Sequence, residues 1–114
     1  LYWLDPGHQT SITTLARAFG ATVNVGAAWW FNDAPAGMKR HLEYIGEVDL
    51  LANFVGMVSD SRKLVSYASR HEMFRRVLGD VVGQMVERGR IPMPVAERLV
   101  TSLACERTRE LFGF

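Results

Sequence analysis

The stretch "FVGMVSDSRK", Phe54 to Lys63, decides how the rest of the chain is read. Phe54-Val55-Gly56-Met57-Val58 is a short apolar run that stops at the polar cluster Ser59-Asp60-Ser61-Arg62. A continuous apolar run of this length reads as a strand buried on both faces, the kind found in parallel sheets. Helical signals follow it. Ser69-Arg70-His71-Glu72 has the spacing of a capping box, which predicts a helix start there. Met73, Phe74, Val77, Leu78, Val81, Val82, Met85 and Val86 then form an i, i+3/i+4 apolar face up to Gly89. The unit is strand, polar loop, helix.

The unit repeats upstream. Tyr2-Trp3-Leu4 is an aromatic and aliphatic run stopped by the turn signal Asp5-Pro6-Gly7. Ile12, Leu15, Ala16 and Phe19 follow at helical spacing, with Gly20 as a C-terminal cap. In "ATVNVGAAWW", Val23 and Val25 mark a second strand, and Gly26, Ala27 and Ala28 keep it slim before Trp29 and Trp30. Asn32 or Asp33 is expected to cap a second helix, with Pro35 in its first turn and Met38, Leu42, Ile45 and Val48 as its buried stripe. Pro94 opens a last helix bearing Val95, Leu99, Leu103 and Leu111. Strands alternating with helices imply parallel pairing and right-handed crossovers. Three strands cannot close a barrel, and an open sheet of three would leave apolar surface bare. The expected fold is therefore α/β, with residues 1–114 part of a larger domain. The opening "LYWL" reads as though it begins inside a strand.

Composition bounds the function classes. Apolar residues make up 48% of the chain and charged residues 22%, an ordinary soluble balance. Thirteen Lys and Arg against twelve Asp and Glu give a net charge of +1, with no basic face for nucleic acid. No run approaches the roughly 18 apolar residues of a membrane span. The one cysteine, Cys105, is expected to be a small buried or half-buried side chain in a reducing, cytoplasmic setting. Glycines match no phosphate-binding loop, so a nucleotide is not expected. The sequence leaves oligomeric state, including a homo-oligomer, open.

Ligands of parallel α/β folds bind at the carboxyl ends of the strands. Two clusters fall there: Trp29-Trp30-Phe31-Asn32-Asp33 and Ser59-Asp60-Ser61-Arg62. Residues i and i+2 of an extended segment share a face, which would aim Asp60 and Arg62 into one pocket. An aspartate can take a proton or hold a metal, and an arginine can clamp hydroxyls or an oxyanion. A strand-end salt bridge, or Asp60 capping the next turn, explains the same spacing. Trp29 and Trp30 suit a sugar ring or plain packing. His8, His41 and His71 form no ligand pair, and no cysteine joins them, so a complete metal site is not expected within this sequence.

Taken together, "AAWWFND" (Ala27 to Asp33), Gly37-Met38, "FVGMVSDSR" (Phe54 to Arg62), "SYASRHEMFRRVLG" (Ser66 to Gly79) and "VERGRIP" (Val86 to Pro92) carry a resemblance. They are similar to the C-terminal part of the uronate isomerase family, also called glucuronate isomerase, in the amidohydrolase superfamily. The resemblance implies the last three βα units of a distorted (β/α)8 TIM barrel, with an extra C-terminal helix. It implies interconversion of D-glucuronate with D-fructuronate, and of D-galacturonate with D-tagaturonate, by proton transfer between C2 and C1 through an enediol. It implies a divalent metal, commonly zinc. Asp60 matches the aspartate after the eighth strand, which lies near the metal and starts proton abstraction. Arg62 matches the arginine that binds substrate hydroxyls, and Trp29 and Trp30 match an aromatic pair after the seventh strand. The family's histidine ligands lie outside this sequence. The expectation is that the parent protein is the isomerase and that these residues alone, needing the rest of the barrel, are inactive. The competing readings are a non-catalytic remnant and a metal-dependent hydrolase of the same superfamily.

Overall fold

The computed structural model describes residues 1–2 and 4–114. Trp3, the centre of the first expected strand, lies outside the described residues. Among the described residues five α-helices account for more than half: α1 (Gln9–Phe19), α2 (Pro35–Glu47), α3 (Leu64–Glu87), α4 (Met93–Thr101) and α5 (Arg107–Phe112). A π-helical segment, Ser102–Glu106, joins α4 to α5, and short 3-10 turns precede α1 and α2.

Between the helices the backbone runs extended, and its pairing is parallel. Val25 N–H donates to Asn53 O at 3.0 Å and Val55 N–H donates to Val25 O at 2.9 Å, the rung of a parallel pair. On the other edge, the Leu1 amino group donates to Asn24 O at 2.6 Å and Gly26 N–H to Leu1 O at 2.6 Å. The order across is thus Leu1, Val25, Phe54, with the second segment in the middle.

Among the described residues the expected second and third strands are nevertheless not formed at length. Among the described residues the only bridge is Val25 with Phe54. Two features stop the ladder. Gly56 has φ +98°, outside the β region, so the run Phe54–Val58 leaves strand geometry at its third residue. The Val55 carbonyl, which a continued ladder would offer to Ala27, accepts instead from Thr108 Oγ1 on α5 at 2.7 Å. The site of a Gly56 Cβ is already taken, lying 2.3 Å from that hydroxyl oxygen.

The helices depart from expectation in instructive ways. α3 begins at Leu64, ahead of the capping box read at Ser69. Ser69 Oγ donates back to Ser66 O at 3.1 Å, and Glu72 pairs with Arg75 and Arg76. The box residues are therefore spent within the helix. α2 has Ala34 at its N-cap with no side-chain cap, so neither Asn32 nor Asp33 caps it, although Pro35 does sit in the first turn. In α1, Ala16 is buried as expected, whereas Leu15 and Phe19 are exposed and Thr13 is buried in their place. Thr13 Oγ1 donates to Gln9 O at 2.9 Å, which removes the cost of burying it. Cys105 is exposed, because the π-helical segment turns Leu103 inward and leaves Cys105 on the outer side.

The core gathers Val25 and Phe54 beneath Leu42 and Ile45 of α2 and Phe74, Leu78, Val81 and Val82 of α3, closed by Ala96 and Leu103. Phe54 touches His41 edge-on at 5.6 Å and Phe74 at 6.1 Å. Among the described residues no helix is long and apolar enough to cross a membrane.

His41 is the buried polar group on which this core closes. Its Nε2 lies 3.0 Å from Gly26 O; a carbonyl only accepts, so Nε2 carries the proton. Burial pushes its pKa down from 6.5 to about 4, and the Gly26 hydrogen bond only partly opposes this. Above the unfolded value both states are neutral. As pH falls through the window from 6.5 to about 4 the unfolded chain takes up the proton first, so the fold loses stability. The expected loss is roughly 3 kcal/mol across that window. His41→Gln keeps a donor but cannot titrate; its melting temperature should be lower at neutral pH and flatter towards acid. Melts of both proteins between pH 7 and pH 4.5 check this, and parallel curves would remove His41 as the cause.

Candidate functional site

Both polar clusters lie where the extended segments end. Trp29 leaves the second segment in extended backbone, and Trp30 then turns sharply with φ +52°. A bulky residue at positive φ costs on the order of 1–3 kcal/mol and persists only when its surroundings hold it. Gly37 provides part of that hold. It lets α2 close against the turn, where a Cβ would come within 2.3 Å of Asn32 O. Asn32 is buried, and its backbone carbonyl accepts from Ala34 N–H at 2.9 Å.

The two tryptophans do different things. Trp29 is half-buried and meets the Tyr2 ring edge-on at 5.4 Å. Tyr2 fits there because Gly26 has no Cβ; one would lie 2.3 Å from the ring. Trp30 is 65% exposed, with Phe31, itself 74% exposed, edge-on at 6.2 Å. Trp29 thus forms the inner wall and Trp30 a free aromatic face.

Asp60 and Arg62 are both exposed, with half-buried Ser61 between them. Asp60 has φ +46°, a left-handed conformation that aspartate tolerates better than most residues. The alternation of a regular strand therefore does not by itself aim Asp60 and Arg62 together. Among the described residues no ion pair joins them. Asp60 caps no helix either, since α3 starts after Lys63 without a side-chain cap. The Ser61 amide reaches Ser59 Oγ at 3.4 Å, a weak tie that leaves the loop its local shape.

An open groove of about 450 Å³ lies elsewhere, among α1, α2 and α3, lined by Arg40, Glu43, Tyr44, Gln84 and Arg88. None of the four sequence-predicted residues lines it. It is a mixed-charge cleft between helix faces, and the strand ends remain the stronger candidate because ligands of parallel folds bind there.

One pairing was not read from the sequence. Asp33 accepts a hydrogen bond from Arg70 Nη2 of α3, forming an ion pair between partly buried side chains. The pair spans 37 residues.

The histidines are dispersed. His8 is exposed before α1, His41 is bound to Gly26, and His71 is half-buried in α3. Among the described residues no three of His, Cys, Asp and Glu gather closely enough to hold a metal ion. Zinc takes four ligands, or three and a water. At the ends of the extended segments Arg70 holds Asp33 and the Gly7 amide holds Asp5, so that Asp60 offers a single carboxylate there. The metal implied by resemblance does not fit on this chain's residues by themselves.

Comparisons with known proteins meet this geometry. The uronate isomerase of Thermotoga maritima is 57% identical over 112 residues, and that of Marinomonas sp. 40% identical over 121. These matches cover 98% and 100% of this chain but only 25% and 26% of the relatives. The chain thus spans about a quarter of the length of the curated relatives it matches, a C-terminal part of them. The crystal structure of the Thermotoga maritima uronate isomerase superposes with a TM-score of 0.94, covering 98% of this chain and 25% of that one. Glucuronate isomerase from Caulobacter crescentus superposes with a TM-score of 0.83 at 28% identity, covering 92% of this chain and 22% of that one. A family model described as glucuronate isomerase matches residues 1–112. With nearly its whole length matched, the chain belongs to the glucuronate isomerase family.

Proposed function

We propose that the protein to which these residues belong is a uronate isomerase that interconverts D-glucuronate with D-fructuronate and D-galacturonate with D-tagaturonate. The observation that carries this reading is that Trp29-Trp30 and Asp60-Ser61-Arg62 follow two parallel-paired segments in a chain of this family. Asp60 is the base of the proton transfer from C2 towards C1. Arg62 donates to hydroxyls near C2 and C3 and steadies the enediolate, a role for a planar fork of fixed donors. Trp29 and Trp30 form the wall against the sugar face. The exposure of Asp60 and Arg62 suits groups that wait for substrate to cover them.

The reading takes residues 1–114 as the last three βα units of a (β/α)8 barrel. The parallel order Leu1, Val25, Phe54 supports it, as do the exposed apolar side chains of Leu15, Phe19, Leu64 and Val65, which a larger fold would cover. A divalent metal would be held by histidines outside these residues, with Asp60 beside it, so these residues alone are inactive. The exposed free thiol of Cys105 fits a reducing compartment, and the cytoplasm is the proposed location.

Proton NMR of D-glucuronate with the full-length protein in deuterated water tests the reading; ketose formation with deuterium at the transferred position is the expected result. Asp60→Asn should lower turnover about 10²- to 10⁴-fold, the range of a lost general base, without changing the melting temperature. Near-normal turnover in that variant would remove Asp60 from the mechanism. Arg62→Lys should also be strongly impaired, since an ammonium cannot replace a planar fork. Full activity there would end the clamp assignment.

A further inference from the structure

The Asp33–Arg70 pair ties the turn that carries Trp30 to α3, the helix that follows the Asp60 loop. Asp33 directly follows the Trp30–Asn32 turn, and Arg70 sits near the start of α3, the helix that leads out of Ser59–Arg62. The two side chains are 22% and 25% exposed, enough shielding to strengthen the pair beyond an ordinary surface contact. The turn it holds contains Trp30 at φ +52°, a conformation that relaxes unless neighbours fix it. Gly37 holds the turn from beneath through Asn32, but that contact restrains it only towards α2. The ion pair supplies the link from the turn to α3.

We infer that Asp33 and Arg70 are positioning residues: their ion pair clamps the turn that carries the Trp29–Trp30 wall against α3, and so sets binding of the sugar ring. The inference rests on the proposed uronate site. Neither residue touches the substrate; both act through the tryptophans.

A double-mutant cycle in the full-length protein tests it, with Asp33→Asn, Trp30→Ala and the double variant assayed on D-glucuronate. Asp33→Asn keeps size and removes the charge. It should raise KM about tenfold, the scale of one lost charge-assisted hydrogen bond, with kcat within about twofold. The double variant should match Trp30→Ala, because a clamp that acts through the wall has no effect once the wall is gone. Multiplying effects, or a fall in melting temperature with KM unchanged, would make the pair a plain stability contact and overturn the inference. A second readout needs no turnover. Acrylamide quenching of tryptophan fluorescence should rise in Asp33→Asn, and the rise should vanish when Trp30 is replaced by Phe. If the parent protein turns over no uronate, the proposed function fails and this quenching decides the clamp alone. Unchanged quenching would overturn it.

Discussion

The residues around Val25 are paired on both edges, and that register places everything else. Val25 bonds to Asn53 and Val55 on one side, while Asn24 and Gly26 bond to Leu1 on the other. In parallel pairing a slip of one residue would carry every side chain to the opposite face. With Val25 opposite Phe54, the two segments run the same way, so that Trp29–Asn32 and Ser59–Arg62 each follow the same end of the pair. The aromatic and the acidic segment therefore leave the core in the same direction because of two main-chain hydrogen bonds placed deep in it. His41 secures the same spot through its hydrogen bond to the Gly26 carbonyl.

Periodic apolar spacing exposed the helices because their burial follows local geometry. Met38, Leu42 and Ile45 line the inner face of α2, and Phe74, Leu78, Val81 and Val82 that of α3, as their spacing requires. Helix ends were less legible, since Ser69-Arg70-His71-Glu72 satisfies a capping pattern in one dimension while its side chains are used inside α3. The strands were legible as order and direction and illegible as length. Nothing local announces that Thr108, 53 residues further on, takes the Val55 carbonyl. Leu15 and Phe19 show the converse, apolar residues at correct spacing that the helix presents outward.

At the site the same division holds. Asp60 and Arg62 stood out because a carboxylate and a guanidinium ending an apolar run are chemically conspicuous, and the motifs around them carried the family resemblance. The pairing of Asp33 with Arg70 did not stand out. Each residue had a local explanation, a helix cap and a capping segment, and both local explanations failed against a contact 37 residues apart. The left-handed backbone of Trp30 and Asp60 was equally hidden, since neither position holds the glycine that usually marks such a conformation.

Those two conformations lie one on each loop of the candidate site, which gives them a common meaning. Backbone held away from its preferred region requires neighbours that cost something to assemble, and such positions gather where function needs a fixed geometry. At the Trp30 turn the neighbours are identifiable: the close approach of Gly37 and the ion pair of Asp33. At Asp60 they are not, for the weak Ser61–Ser59 contact cannot alone hold a left-handed residue in an exposed loop. On the proposed reading the asymmetry has a cause. The wall is complete within these residues, whereas the acid stands at a surface whose opposite side, with the metal ligands, belongs to the other three-quarters of the protein. On that reading these residues fix the shape proposed to meet the sugar and leave the acid's final setting to the segments that close around it.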